Sequence, residues 1–293
     1  MPTLPKSLTD KESTKLVRAT NRNIQNWHDL MFVQGSTLAG QALRKNIQET
    51  VDDNFETFSQ VALTPDHDYK PLAIMAVRGI AFSFKHRDEG RDILLSLLQN
   101  ESPTMIANAA LGLGMLKSKK TSEIDLATLI TLLEHRNRGV RTNAADALGE
   151  LFRIKQTPRE LTSMYREAID RLTVIGQDRD NVFGRRAASA ALGNLHHPAS
   201  FDALVEMLDD TDIQVQIGVL DALRKLKDPR ALEYVLDYLD DNSTGPGGSH
   251  AQKTLEDICI SAGLMKDARD ATDLGTSARR WRQYIDAARM EGG

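Results

Sequence analysis

One cysteine, Cys259, stands among 293 residues, so an intrachain disulfide and a cysteine-based zinc cluster are excluded. Aromatic residues reach only 5%, and alanine and leucine dominate the apolar set, a mix that favours helices over strands. Neither charge is in large excess. The net charge of -4 argues against a wholly basic nucleic-acid binder and leaves room for a local basic patch. No apolar run approaches the roughly 18–20 residues that span a bilayer. The opening MPTLPKSLTDKE carries no apolar signal region. These absences predict a cytoplasmic chain, the alternative being an exported one whose signal has been removed.

What is present is repetition. Residues 195–210 read LHHPASFDALVEMLDD, and residues 226–241 read LKDPRALEYVLDYLDD. Leu195, Pro198, Leu204 and Leu208 match Leu226, Pro229, Val235 and Leu239, and Asp209-Asp210 match Asp240-Asp241. His196 and His197 fall where Lys227 and Asp228 stand. A metal site does not exchange its ligands for Lys and Asp in a twin unit, so the paired histidines read as part of a repeat. A second phrase recurs as VRTNAADALGEL at 140–151, GRRAASAALGNL at 184–195, VQIGVLDALRKL at 215–226 and PTMIANAALGLG at 103–114, with a weaker copy, LAIMAVRGIAFS, at 72–83. The anchors Ile80, Leu111, Leu148, Leu192 and Leu223 are separated by steps of 31, 37, 44 and 31, which is the mark of a solenoid.

Each phrase has helical spacing. Val140, Ala144, Leu148 and Leu151 fall on one stripe, and small residues beside them allow close helix approach. Partner helices are expected at 91–99, 123–134, 159–175, 200–208 and 230–239. The third opens on Thr157, Pro158 and Glu160, a capping box with proline in the first turn. The DPRA of 228–231 and the VRTNAADALGEL of 140–151 resemble the HEAT-repeat family, including its shorter bacterial variants, over about residues 67–262. The resemblance implies an all-α, right-handed α–α superhelix with capping helices, a binding surface on the second helices of the pairs, and no cofactor.

Residues 1–66 are expected to form an N-terminal helical cap, 67–241 the repeats, and 242–293 a glycine-rich turn, the last repeat helix and a C-terminal cap. In the N-terminal cap, helices are expected over 9–33, opening on TDKE, and over 36–62. The second of these places Leu38, Leu43, Ile47, Val51, Phe55 and Phe58 on one face. At the far end, Trp281 and Ile285 are placed to seal the last repeat, and Leu255, Ile258 and Cys259 to face the core.

Candidate chemistry is sparse. GPGGSH at 245–250 precedes a helix, but no Gly-Lys-Ser/Thr follows, so it reads as an inserted turn and not a phosphate loop. Asp66, His67 and Asp68 are adjacent and read as a solvated turn. No His-Glu dipeptide occurs, which excludes the iron-binding pattern of the deoxyhypusine hydroxylases of this repeat class. No catalytic residue, metal ligand or cofactor site is expected.

The charge pattern is more informative. Second helices end in bases: Lys85, His86 and Arg87; Lys117, Lys119 and Lys120; Arg153 and Lys155; Arg224, Lys225 and Lys227. The turns within pairs hold acids such as Glu101, Glu134, Asp178, Asp180, Asp209, Asp210, Asp212, Asp240 and Asp241. Helix termini alone favour this arrangement, by about 0.3–1 kcal/mol per charge. Helical placement assigns the partner-binding surface to Arg78, Thr142, Asp146, Glu150, Asn194, Asp221 and Lys225, with Arg141, Arg185 and Arg186 adding positive charge. Phe82, Met105 and Leu113 fall on that surface too, and the N-terminal cap is expected to cover them. The expected function is a non-catalytic scaffold holding a protein partner. The alternative is a nucleic-acid binder using the basic edge.

Overall fold

The computed structural model describes residues 11–34, 37–64, 70–116, 118, 122–154 and 162–291. Every regular element among them is helical. The expected capping boxes at TDKE and TPRE, the Asp66–Asp68 turn, and Lys117, Lys119, Lys120 and Lys155 lie partly or wholly outside the described residues. No described helix is long and apolar enough to cross a membrane. The chain divides into two compact units, residues 1–147 and 148–293.

In the first unit, α1 (Lys11–Gln34) packs on α2 (Leu38–Asp53) and on α4 (Lys70–Ile80). The helix α3 (Phe55–Leu63) packs on α4, α5 (Arg87–Leu97) packs on α6 (Pro103–Leu116), and α4 packs on α6. The helix α7 (Glu123–Leu132) follows, and α8 (Arg138–Ile154) runs across the division. In the second unit, α9 (Ser163–Gly176) packs on α10 (Val182–Asn194), and α11 (Phe201–Glu206) on α12 (Ile213–Leu226). The helix α13 (Ala231–Asp241) packs on α14 (Gly245–Ser261) and on α15 (Ala278–Glu291). Stacked helix pairs of this kind are an all-α solenoid fold, in which each pair closes its apolar face on its neighbours.

Close backbone approaches fix the register of the repeats. A Cβ on Gly114 would lie 2.7 Å from Ala147 Cα, one on Gly149 3.3 Å from Ala191 Cα, and one on Gly193 2.7 Å from Ala222 Cα. Gly114, Gly149 and Gly193 are therefore equivalent, and the anchor in α6 is Leu113, not Leu111. Leu113 is buried while Leu111 is half-exposed. The same register sets Met105 opposite Val140, so Met105 and Leu113 belong to the repeat core and not to the outward surface. Phe82 is covered as expected: the Trp27 ring of α1 meets it edge-on at 5.3 Å.

The Gly193–Ala222 approach yields a stability prediction. Gly193→Ala adds a methyl 2.5 Å from Ala222 Cβ, where backbone and not a side-chain tip must yield. Overpacking costs about 1–3 kcal/mol, and alanine returns at most about 1 kcal/mol of helix propensity. Thermal melts should show a lowered Tm, and a raised one would contradict the approach.

Two other expectations need correction. The helix expected over 36–62 breaks at Asn54. Asp52, near the end of α2, accepts from the Ser83 hydroxyl at 2.6 Å and from the Phe84 and Lys85 N–H groups at 2.9 and 3.1 Å, binding α2 to the turn after α4. Leu38 points outward, 86% exposed. The glycine-rich stretch is not a loose turn either: α14 begins at Gly245, and Gly247 and Gly248 are buried. A Cβ on Gly247 would collide with the Tyr238 hydroxyl, and one on Gly248 would sit 2.6 Å from the Asn242 carbonyl oxygen. These glycines serve close packing.

Candidate functional site

The repeat turns dispose of most of the charges read from the sequence. His196 and Lys227, equivalent residues, both adopt left-handed backbone conformations with φ of 52° and 54°. His197 Nδ1 accepts the Ala199 N–H at 3.1 Å, and its counterpart Asp228 accepts the Arg230 N–H at 2.9 Å. The paired histidines thus form a turn cap. Among the described residues no cluster of His, Cys, Asp or Glu is arranged to hold a metal.

Among the described residues, several bases of the basic edge have local partners. Lys85 Nζ lies 3.4 Å from Asp53, His86 stacks on Phe55 at 4.5 Å, and Arg87 lies 4.4 Å over the Phe84 ring. Arg153 pairs with Glu150 at 2.6 Å, and Arg224 with Asp221 and Asp257 at 3.3 Å. Arg141 and Arg185 are equivalent, and both turn back. Arg141 donates to the His135 carbonyl at 3.0 Å and Arg185 to the Arg179 carbonyl at 2.7 Å. At the next equivalent position, Gln216 donates to the Asp210 carbonyl at 2.7 Å. One position per repeat thus satisfies the open carbonyls of the turn between paired helices. Arg185 goes further: its guanidinium is buried and meets the buried Asp210 carboxylate at 2.6 and 3.0 Å. Arg185 therefore leaves the set of solvent-facing candidates, whereas Arg186 stays half-exposed. A recess of about 530 Å³ beside this pair is lined by Arg185 with Asp210 and by Gln177, which donates to Glu206 at 3.0 Å, together with Arg179, Asp209 and Thr211.

In the second unit, Asn194, Lys225, Asp221 and Glu150 share one surface. Lys225 Nζ donates to Asn194 Oδ1 at 2.8 Å, and Asn194 Nδ2 donates to the Gly149 carbonyl at 3.0 Å. Burial holds the Lys225 pKa below its usual value, with Arg224 and Arg153 adding to the shift while Asp221 and Glu150 oppose it. These groups form a polar surface in which Lys225 bonds Asn194, Asp221 meets Arg224 and His250, and Glu150 meets Arg153.

The first unit does hold a recess, of about 310 Å³. One wall is the face of α1 that carries Asn21, Ile24, Gln25 and His28, at i, i+3, i+4 and i+7. The other wall and floor come from Arg78, Phe82, Asn108, Leu111, Met115 and Asn143, on α4 and its following turn, α6 and α8. Arg78 Nε donates to Asn108 Oδ1 at 2.8 Å, and Asn108 Nδ2 donates to the Thr104 carbonyl at 2.8 Å. Asn143 Nδ2 donates to the Ala107 carbonyl at 2.9 Å. Asn21 Oδ1 is buried and accepts no hydrogen bond. Burial, and then the Arg78 charge, lower the His28 pKa, so this imidazole is neutral at pH 7. Arg78 alone of the sequence-derived candidates lines this groove. Thr142 is half-exposed and Asp146 exposed, both on α8 outside its lining. Asn108 and Asn143 went unread because the two-residue slip in α6 hid their equivalence.

Cys259 is fully buried, and burial pushes its thiol up to about 12. A thiol so held is protonated and shielded. Native protein at pH 8 should therefore resist a thiol reagent that reacts at once after denaturation. Fast native labelling would contradict the burial.

A family model described as HEAT repeats matches residues 58–149, 92–173 and 169–255. No curated protein matches the sequence. Among solved structures, an engineered protein is similar at 18% identity and TM-score 0.57, over 95% of this chain and 87% of its own. YibA of E. coli is similar at 17% identity and TM-score 0.56, over 98% of this chain and 99% of its own. Such likenesses are ones of fold.

Proposed function

Because the chain belongs to the HEAT-repeat family, we propose that it is a non-catalytic scaffold whose first unit holds a segment of a partner protein in the groove between α1, α4 and α6. The observation that carries this reading is the groove's lining. It combines half-exposed apolar Leu111 and Met115 with the amides of Asn21, Gln25, Asn108 and Asn143. About 310 Å³ is at the small end of binding recesses, sized for a few side chains of a chain and not for a whole domain. Methionine at such a place adapts to varied apolar partners. The bonded polar surface of Glu150, Asn194, Asp221 and Lys225 is a second contact region of the same scaffold. The nucleic-acid reading loses support, since Lys85, Arg153 and Arg224 already face carboxylates.

Met115→Glu tests the reading. Immobilised full-length protein should retain a partner from its source lysate after nuclease treatment, and the variant about tenfold less of it, a loss of about 1.4 kcal/mol. Met115 is half-exposed, so the variant keeps its helicity and Tm. Equal retention by both proteins rejects the groove. Retention abolished by nuclease, with a steep salt dependence, selects the nucleic-acid reading instead.

A further inference from the structure

The groove's polar groups are asymmetric in what they lack. Arg78 is exposed, and its Nε is held by Asn108, which aims the guanidinium; among the described residues its terminal nitrogens have no partner. Among the described residues the lining contains no aspartate or glutamate. Asp29 on α1, whose charge acts on His28, accepts from Gln25 at 3.1 Å. An oriented guanidinium with two open donors and no opposing carboxylate calls for a planar anionic acceptor. The same recess is lined by Leu111 and Met115, apolar and half-exposed.

We infer that the groove takes an extended peptide that gives a carboxylate to Arg78 and an apolar side chain to Leu111 and Met115. This rests on the scaffold reading above and names its partner's chemistry. A recess of about 310 Å³ admits a few side chains of one strand, which an extended chain presents at short, regular spacing, and is too small for the diameter of a helix, about 10–12 Å. Neutral His28 adds no second charge, so one carboxylate balances the site. The carboxylate belongs either to an Asp or Glu side chain or to a chain terminus, and both have the planar two-oxygen form that Arg78 meets.

Two phage libraries of random short peptides, one leaving the N-terminus free and one the C-terminus, are selected on the full-length chain. Selected sequences are then made as fluorescein-labelled peptides and titrated by anisotropy against wild type, Arg78→Gln, Arg78→Lys and Met115→Glu. Acids adjoining Leu, Ile, Met or Phe should be enriched. Arg78→Gln should weaken binding about tenfold to hundredfold, as expected for a charge-assisted pair, and Arg78→Lys by less. Enrichment of acids in both libraries assigns the carboxylate to a side chain. Binding confined to the free C-terminus and lost on amidation assigns it to the terminus. Peptides without an acid that are weakened by Met115→Glu but indifferent to Arg78→Gln overturn this inference and leave the scaffold reading intact. No enrichment, or binding indifferent to every variant, overturns both.

Discussion

Arg185→Ala should lower the stability of the second unit by about 3–5 kcal/mol. The side chains of Arg185 and Asp210 are 7% and 8% exposed, so removing one leaves the other charge buried without its counterion. The substitution also strips the Asp178 and Arg179 carbonyls of a donor, at 3.0 and 2.7 Å. Bonding to Asp210 raises the Arg185 pKa even against its burial, so the arginine stays charged at any ordinary pH. Asp210→Ala should cost a similar amount, and the double variant less than the sum, because the two residues share one interaction. Chemical denaturation measures all three, and a loss below about 1 kcal/mol for Arg185→Ala would contradict the buried pair. Arg186→Glu, one residue away and half-exposed, should change stability by no more than about 0.5 kcal/mol.

Trp281→Ala should cost about 3–5 kcal/mol, the range for large aromatic truncations in a core. Trp281 is fully buried, and its Nε1 donates to the Gly275 carbonyl at 2.9 Å, which would lose its partner. The surface network on the same helix cannot compensate. Arg282 reaches Glu233, Asp237 and Asp240 at 3.2, 2.6 and 3.0 Å, but the acids are 55–74% exposed, and such pairs are worth about 0–1 kcal/mol each. A helix packed mainly on α13 opens locally before the whole unit does. Hydrogen exchange in the variant should therefore lose protection first across α15 and the α13 face beneath it. Uniform loss, or none, would contradict Trp281 as the seal of that end.

The repeats were legible where their phrases are nearly copies. The 31-residue step between Leu192 and Leu223 reads directly from the sequence, and the structure places both anchors in the core. Helix α6 defeated the same reading. Met105, Ile106, Ala109, Ala110, Leu113 and Leu116 are all buried, so its apolar pattern encircles the helix and gives no unique register. A slip of two residues turns a helix by about 200°, exchanging inner and outer faces. That slip put Met105 and Leu113 outside and hid Asn108 and Asn143. The repeat phrases align Arg185 with Arg141, both of which turn back onto turn carbonyls, but the buried partner Asp210 that singles out Arg185 lies 25 residues away and is joined to it only by tertiary packing. The groove's far wall was illegible for the same reason. No local pattern links Asn21 and His28 on α1 to Arg78 on α4, because that pairing is tertiary.

Site-specific photocrosslinking from position 111 tests the binding groove most directly. A photoreactive residue replacing Leu111 should capture a protein from nuclease-treated lysate. The same residue at Ile124, an exposed site on α7 outside the groove, should not. Capture from 111 alone, lost when Met115→Glu is added, is the predicted result. Equal capture from both positions, or none from 111, would contradict the groove as the site where this chain holds its partner.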